Sequence, residues 1–159
     1  MSHEEVLVAN AVAVWKNTQE RADNLFGSFD GEGLLQEVAP GRNRLIYLFG
    51  HLAAMHDRML VLLGLGERLE PAFDAIFLTS PDKASELAPV ERVRELWKGV
   101  SERLNQGIAE FTPEQWLAPH SAVSAEDFAR DPLRNRLSIL VTRTNHLSYH
   151  LGQATLVRR

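Results

Sequence analysis

Two histidines four residues apart are the first residues of this sequence that could do chemistry together. His146 and His150 lie in a segment whose apolar residues recur with helical spacing. Positions four apart share one face of a helix, so a single helix can supply two imidazole ligands to a metal ion. A third histidine, His51, shares a helical stripe with Leu48 and Met55 in another apolar segment. Because burying an unpartnered imidazole costs free energy, we expect His51, His146 and His150 to converge on one metal ion.

The same histidines also have a structural interpretation. The pair could flank the core with hydrogen bonds to other groups, and His51 could be satisfied by a backbone carbonyl or a hydroxyl. The residue after His146 is Leu147, so the helix lacks the glutamate that serves zinc proteases as a base. Spacing alone therefore leaves open both a metal site and a set of hydrogen-bonded core histidines.

The donor types limit which metal could bind and what it could do. The chain has no cysteine, so nitrogen and oxygen atoms must hold any metal. Three neutral imidazoles suit zinc, nickel, iron or copper, and not magnesium or calcium. They leave at least one coordination position open, which is the mark of a catalytic site. Water bound there has a pKa of about 7, and a bound thiol is deprotonated. The nucleophile would then be water or a small-molecule thiol.

Two arginines and the remaining histidines have less specific patterns. Arg143 lies one turn before His146 and Arg58 two turns after His51, and either could bind a substrate carboxylate through two parallel hydrogen bonds. They could also be solvated charges at the edge of a helix seam. His56 is about 140° around the helix from His51, so we expect it in a packing or interface contact. The other histidines are expected at the surface: His3 and His120.

Four segments with helical periodicity must position these residues. Apolar residues recur every three to four positions over residues 4–26, 44–63, 89–111 and 132–157. The links on both sides of the third segment are long enough for crossover connections, and short helices are expected to begin at residues 112 and 124. The pattern predicts an all-α fold, a four-helix bundle.

Capping residues mark the ends of these helices. Ser2 and Glu5 have the spacing of a capping box at the start of the first helix. Asp131, followed by proline, is the expected N-cap of the fourth helix, whose inward stripe would begin at Leu133. Two cations suit the C-terminal end of that helix: Arg158 and Arg159.

Composition excludes several classes of protein. The chain has 159 residues, which suits one domain spanning residues 1–159. The net charge of −4 argues against nucleic acid as a partner, because phosphate binding needs a basic surface. No apolar run reaches the ~18 residues of a membrane span, and the first residues lack the basic, then apolar pattern of a signal peptide. We therefore expect a cytoplasmic protein without a membrane partner.

Two stretches of the chain resemble the DinB-like (DinB/YfiT-like) superfamily. Residues 40–52 read PGRNRLIYLFGHL, which resembles that family's Pro-Gly turn, apolar helix and Gly-His-Leu step. Residues 146–153 read HLSYHLGQ, which is similar to its closing His-x-x-x-His-x-Gly-Gln motif. Residues 112–116 resemble a short segment often found between the family's third and fourth helices. The order of the histidines matches as well, and the resemblance covers nearly the whole chain.

This resemblance implies a fold, a site and a range of activities. The fold is a four-helix bundle in up-down-down-up order, and many members are homodimers. The implied metal ligands are His51, His146 and His150, and Gln153 would support one of them through a hydrogen bond. Zinc or nickel is the expected metal, with iron possible. Characterised relatives include S-transferases and isomerases that use low-molecular-weight bacterial thiols. We expect a thiol-dependent S-transferase or a hydrolase acting on a small molecule, and keep open a non-catalytic metal-binding or stress-response protein and a metal-free bundle.

Overall fold

Four long helices form the body of the protein. The computed structural model describes residues 1–157, so Arg158 and Arg159 lie outside the described residues. The long helices are α1 (His3–Gly27), α2 (Leu45–Leu63), α3 (Val90–Glu110) and α6 (Arg136–Ala154). The short helices α4 (Pro113–Leu117) and α5 (Ala125–Arg130) connect α3 to α6. Among the described residues β-structure is limited to two isolated bridges, so the all-α prediction is confirmed.

Local capping explains several of the helix ends. The Ser2 hydroxyl accepts a hydrogen bond from the Glu5 backbone N–H at 3.1 Å, as the capping box predicts. Gly64 ends α2 in the left-handed conformation (φ 74°), which glycine adopts without a steric penalty. Thr112 and Ser124 cap α4 and α5, so both predicted short helices are confirmed.

The start of α6 differs from the prediction. The N-cap is Asn135, whose side-chain oxygen accepts from the Ser138 N–H at 2.9 Å. Asp131 instead accepts from the Leu133 N–H within a turn, and Leu133 is 74% exposed and not inward-facing. The prediction of Asp131 as the N-cap was wrong. Asn135 has the same capping ability, and the helix begins after it and not after Asp131.

The long helices share one hydrophobic core. Helix α2 packs against α3 and α6, and α1 packs against α6. Aromatic rings fill the centre, where Phe49 of α2 lies between Phe26 of α1 and Trp97 of α3, at centroid distances of 4.4 and 5.5 Å. By length and hydropathy α2 could span a membrane, but 67% of that window is buried inside the bundle. Its apolar composition therefore serves the core.

An irregular segment between α2 and α3 runs back along α2 toward its N-terminal end and passes His51. It contains a π-helical turn, Ala75–Thr79, which sequence periodicity does not predict. Phe77 at its centre is fully buried. Turns of this kind occur often at functional sites, because the extra residue re-aims backbone groups.

Candidate metal centre

The three predicted ligands meet at one place in the bundle. The Nε2 atom of His146 lies 3.0 Å from Nε2 of His51 and 3.1 Å from Nε2 of His150. The ring centroids of His51 and His150 are 5.0 Å apart, so the three imidazoles form one cluster. All three are half-buried, with His51 on α2 and the other two one turn apart on α6. Together they could hold a metal ion.

Hydrogen bonds at the other ring nitrogens set the tautomers of two of these histidines. Nδ1 of His51 lies 2.9 Å from the Phe77 carbonyl oxygen, which can only accept. Nδ1 of His150 lies 2.8 Å from Oε1 of Gln153, whose amide nitrogen faces the Tyr149 hydroxyl at 3.4 Å. Both Nδ1 atoms therefore carry the proton, and both Nε2 atoms present lone pairs toward His146.

At neutral pH the three imidazoles are uncharged, so additional protons do not satisfy the facing Nε2 atoms. Burial lowers the pKa of His51 and of His150 below the usual 6.5. Burial, and then the neighbouring charges of His150 and His51, lower the pKa of His146 to about 4. Three neutral rings with converging nitrogens cannot all be satisfied by one shared proton, because His146 can donate to only one of its neighbours at full strength.

A metal ion fits this donor set. Nitrogens about 2.0–2.1 Å from a tetrahedral zinc ion lie about 3.3–3.4 Å from one another. The observed separations of 3.0 and 3.1 Å are within a few tenths of an ångström of that spacing. Metal-bound histidines usually donate their second N–H to a carbonyl or side-chain oxygen, as His51 and His150 do here. Nδ1 of His146 is buried and has no partner among the described residues.

Phe77 contacts the cluster, and periodicity and motif reasoning missed it. Its carbonyl orients His51, and its ring packs on the backbone of Gly50, the residue before His51. A Cβ at Gly50 would lie 2.3 Å from the Phe77 ring, which no real contact permits. The glycine of the Gly-His-Leu step is therefore needed for the approach of Phe77. That glycine was the one signal in the sequence that something must pack closely there.

Polar contacts hold both ends of the segment that carries Phe77. At one end, Arg68 bridges Asp57 on α2 and Asp74: its Nε lies 3.1 Å from Oδ2 of Asp57, and its Nη1 lies 2.8 Å from Oδ2 of Asp74. Asp57 is fully buried and also accepts the Leu69 N–H at 2.7 Å. At the other end, the Tyr47 hydroxyl donates to the Ser80 carbonyl at 2.7 Å. The Phe77 carbonyl is thus fixed from two directions.

The two predicted substrate-binding arginines have different environments. Arg58 is paired with Asp74, with Nε–Oδ2 and Nη2–Oδ2 distances of 3.0 and 2.6 Å. Arg143 is half-buried, and its Nε is inaccessible to solvent without a hydrogen-bond partner among residues 1–157. Its charge contributes to the lowered pKa of His51 and of His146, so it lies close to the cluster.

The other histidines lie outside the cluster. His56 is fully buried between Trp15 and Trp97, at centroid distances of 5.0 and 4.9 Å, which makes it a packing residue. Burial lowers its pKa to about 3. His3 is exposed, and His120 lies in a loop where its Nδ1 accepts the Ala122 N–H.

A groove of about 470 Å³ opens on the side of the cluster where Gln153 lies. Tyr149 and Gln153 line it on α6, and Gln153 is hydrogen-bonded to His150. Arg42 and Asn43 line the opposite wall, and Leu48 and Leu156 supply apolar surface. The groove is large enough for a small organic molecule.

The fold and the cluster together define an all-helical protein with a three-histidine site that could hold a metal. The sequence pattern of the DinB superfamily matches residues 12–154. The chain therefore belongs to the DinB superfamily, as its two histidine motifs indicate. A comparison with curated proteins found no match.

Proposed function

We propose that His51, His146 and His150 bind one divalent transition-metal ion through their Nε2 atoms and that this centre is catalytic. The observation that carries the proposal is the contact among three neutral imidazoles, two of which present lone pairs to the third. Hydrogen bonding among the rings leaves at least one of these nitrogens without a full hydrogen bond, whereas a cation at their centre satisfies all three.

The reaction we propose is transfer or hydrolysis by a nucleophile activated at this centre. The metal supplies a lowered pKa for a bound thiol or water. The protein's residues hold the site: the Phe77 carbonyl and Gln153 fix two imidazoles in the required tautomer. Because the chain has no cysteine, the sulfur nucleophile of an S-transferase must be a small thiol. The groove beside Gln153 has room for a small organic molecule.

Zinc or nickel is the metal we propose, with iron as the next candidate. Imidazole nitrogen suits these ions, whereas magnesium and calcium prefer oxygen. The cluster contains no carboxylate ligand among the residues that the structure describes. A neutral ligand set leaves the charge of the ion uncompensated, which strengthens its effect on a bound nucleophile.

We also propose the up-down-down-up order for the four long helices. Two side-chain hydrogen bonds join α1 to α3: Gln19 to Ser101 at 2.6 Å and Trp97 to Asp23 at 2.7 Å. Residue numbers rise along α1 as they fall along α3, which favours an antiparallel pair. Parallel α2 and α3 are favoured by contacts that link the start of α2 to Trp97 and its end to Gly107. His51 with His146, and Gly64 with Arg136, favour antiparallel α2 and α6.

A homodimer in the cytoplasm is the assembly and location that we propose, with no nucleic-acid or membrane partner. Leu7 and Val14 support the dimer, because they lie on one face of α1 and are 66% and 56% exposed. The buried α2 face gives no such support, since the core occupies it. Light scattering should give about twice the chain mass of 17.9 kDa, and the chain mass at all concentrations would contradict the dimer.

Metal analysis and a thiol assay test the proposed function. Protein purified without a histidine tag should bind one zinc or nickel ion per chain, and His146→Ala should bind none. Loaded protein should convert a model electrophile in the presence of a low-molecular-weight thiol, and chelation should abolish turnover. One metal per chain without transferase or hydrolase turnover would favour the non-catalytic metal-binding alternative. No metal uptake by the wild type would refute the centre itself.

A further inference from the structure

Arg143 is a half-buried cation that no carboxylate within residues 1–157 neutralises. No ion pair or side-chain hydrogen bond within residues 1–157 includes it, and its Nε has neither solvent nor a partner. Burial, and then the charge of Arg58, lower the pKa of its guanidinium. A guanidinium stays charged in proteins, so partial burial without an anion leaves a desolvation cost that nothing in this region offsets.

The acidic side chains around Arg58 and Arg68 already accept hydrogen bonds from other groups. Asp74 accepts hydrogen bonds from both Arg58 and Arg68, with shortest N–O distances of 2.6 and 2.5 Å. Asp57 accepts from Arg68 and from the backbone N–H groups of Leu69 and Glu70. Two aspartates and two arginines balance within that network. Arg143 therefore adds an uncompensated positive charge to this side of the bundle.

The position of Arg143 relates it to the three-histidine cluster. Ile139, Arg143, His146 and His150 form a stripe along α6 in which every side chain is half-buried. Arg143 and His146 are three positions apart, which is about 4.5 Å along the helix axis. The charge of Arg143 helps to lower the pKa of His146 on the same helix and that of His51 on α2. An anion bound to Arg143 would thus lie about one helical turn from His146, at the end of the cluster away from Gln153.

We infer that Arg143 binds the carboxylate of a small ligand whose other end reaches the three-histidine centre. The inference rests on the proposed function and adds a substrate class to it: molecules that carry a carboxylate a few ångströms from their metal-binding atom. The planar fork of a guanidinium matches a carboxylate with two parallel hydrogen bonds. Arg58 does not share this role, because its fork is occupied by Asp74.

A pair of isosteric thiols tests the inference on cobalt-loaded protein. 3-Mercaptopropionate and 3-mercaptopropionamide differ in charge and not in shape, and thiolate coordination gives a near-ultraviolet charge-transfer band that reports binding. A hydrogen-bonded charge pair contributes about 1.5–3 kcal/mol, so the carboxylate should bind about 10–150-fold more tightly than the amide. Arg143→Gln should reduce this ratio to near one without changing the affinity for the amide or the cobalt d–d spectrum.

Two controls separate this inference from the proposed function. Arg134→Gln removes the same charge from an exposed arginine beside Asp127 and should keep the preference for the carboxylate. An NMR titration follows the Nε–H signal of Arg143, identified by its loss in Arg143→Lys, as propionate or propionamide is added. Propionate alone should shift that signal. Equal shifts with both compounds, or an unchanged thiol preference in Arg143→Gln, would overturn the inference. If neither thiol produces the cobalt band, the proposed thiol chemistry fails, and the propionate titration still decides the role of Arg143.

Discussion

Replacing Gly50 with alanine tests whether the close approach of Phe77 builds the site. The added Cβ would lie 2.3 to 2.5 Å from three atoms of a fully buried ring, so the ring must move. Gly152 provides the matched control, because it precedes Gln153 in the other histidine motif, is exposed, and has nothing within 4 Å of an added Cβ.

The two substitutions share one energy term and differ in another. Alanine in place of glycine inside a helix stabilises by about 1 kcal/mol, and this gain applies to both variants. Overpacking costs about 1–3 kcal/mol and applies only to Gly50→Ala. The difference in unfolding free energy between the variants therefore isolates overpacking. We expect Gly152→Ala to be more stable than the wild type, and Gly50→Ala to be about 1–3 kcal/mol less stable than Gly152→Ala.

Metal affinity provides the second readout for this pair. When the Phe77 ring moves, its carbonyl moves with it and the hydrogen bond that orients His51 is strained. Loss of such a bond typically weakens metal binding about 10–100-fold. Urea unfolding with a chelator present, followed by zinc titration in competition with a chelating dye, measures both quantities. Equal stability and equal zinc affinity in the two variants would refute the role assigned to Phe77 and Gly50.

The other predictions concern ligand support, the buried histidine and metal removal. Gln153→Ala should retain metal with about 10–100-fold weaker affinity, whereas Gln153→Glu keeps an acceptor for His150 and should lose less. The folded-state pKa of His56 is about 3, so below pH 6.5 the unfolded chain binds the proton that the folded chain does not. Stability of the metal-free protein should fall from pH 6.5 toward pH 3, and His56→Phe should reduce that slope by up to about 1.4 kcal/mol per pH unit; an unchanged slope in urea unfolding would contradict the assignment. Zinc at 1,000 times its Kd should stabilise the fold by about 4 kcal/mol in thermal unfolding, and His146→Ala should abolish this gain; an equal gain in that variant would place the metal elsewhere.

Sequence periodicity predicts the long helices because each must bury an apolar stripe. The predicted range 44–63 differs by one residue from Leu45–Leu63, and Gly64 marks its end by a backbone conformation that favours glycine. The fourth helix begins later than predicted because two residues with capping ability, Asp131 and Asn135, precede it. Capping ability alone does not show which of the two residues is the N-cap, since the start of the helix also depends on how the rest of the chain packs.

The cluster was partly readable from sequence because helical spacing brings His146 and His150 together whatever the tertiary structure. The contribution of Phe77 could not be predicted from the sequence. Every residue has a backbone carbonyl, so no residue type marks the one that contacts His51, and the π-helical turn is too short to produce a recognisable periodicity. The difference between Arg58 and Arg143 was also hidden. It depends on Asp74, which lies 16 residues from Arg58 and reaches it only through the fold.

The tautomers of the three clustered histidines test the central claim most directly. Long-range ¹H–¹⁵N NMR spectra of protein labelled at histidine nitrogens distinguish protonated, free and metal-bound ring nitrogens. At neutral pH, metal-free protein should show His51 and His150 as neutral rings with the proton on Nδ1. One equivalent of zinc should then shift the Nε2 signals of His51, His146 and His150 together and leave those of His56 and His120 unchanged. Protons on Nε2 of His51 and His150, or zinc-induced shifts outside this cluster, would contradict the account.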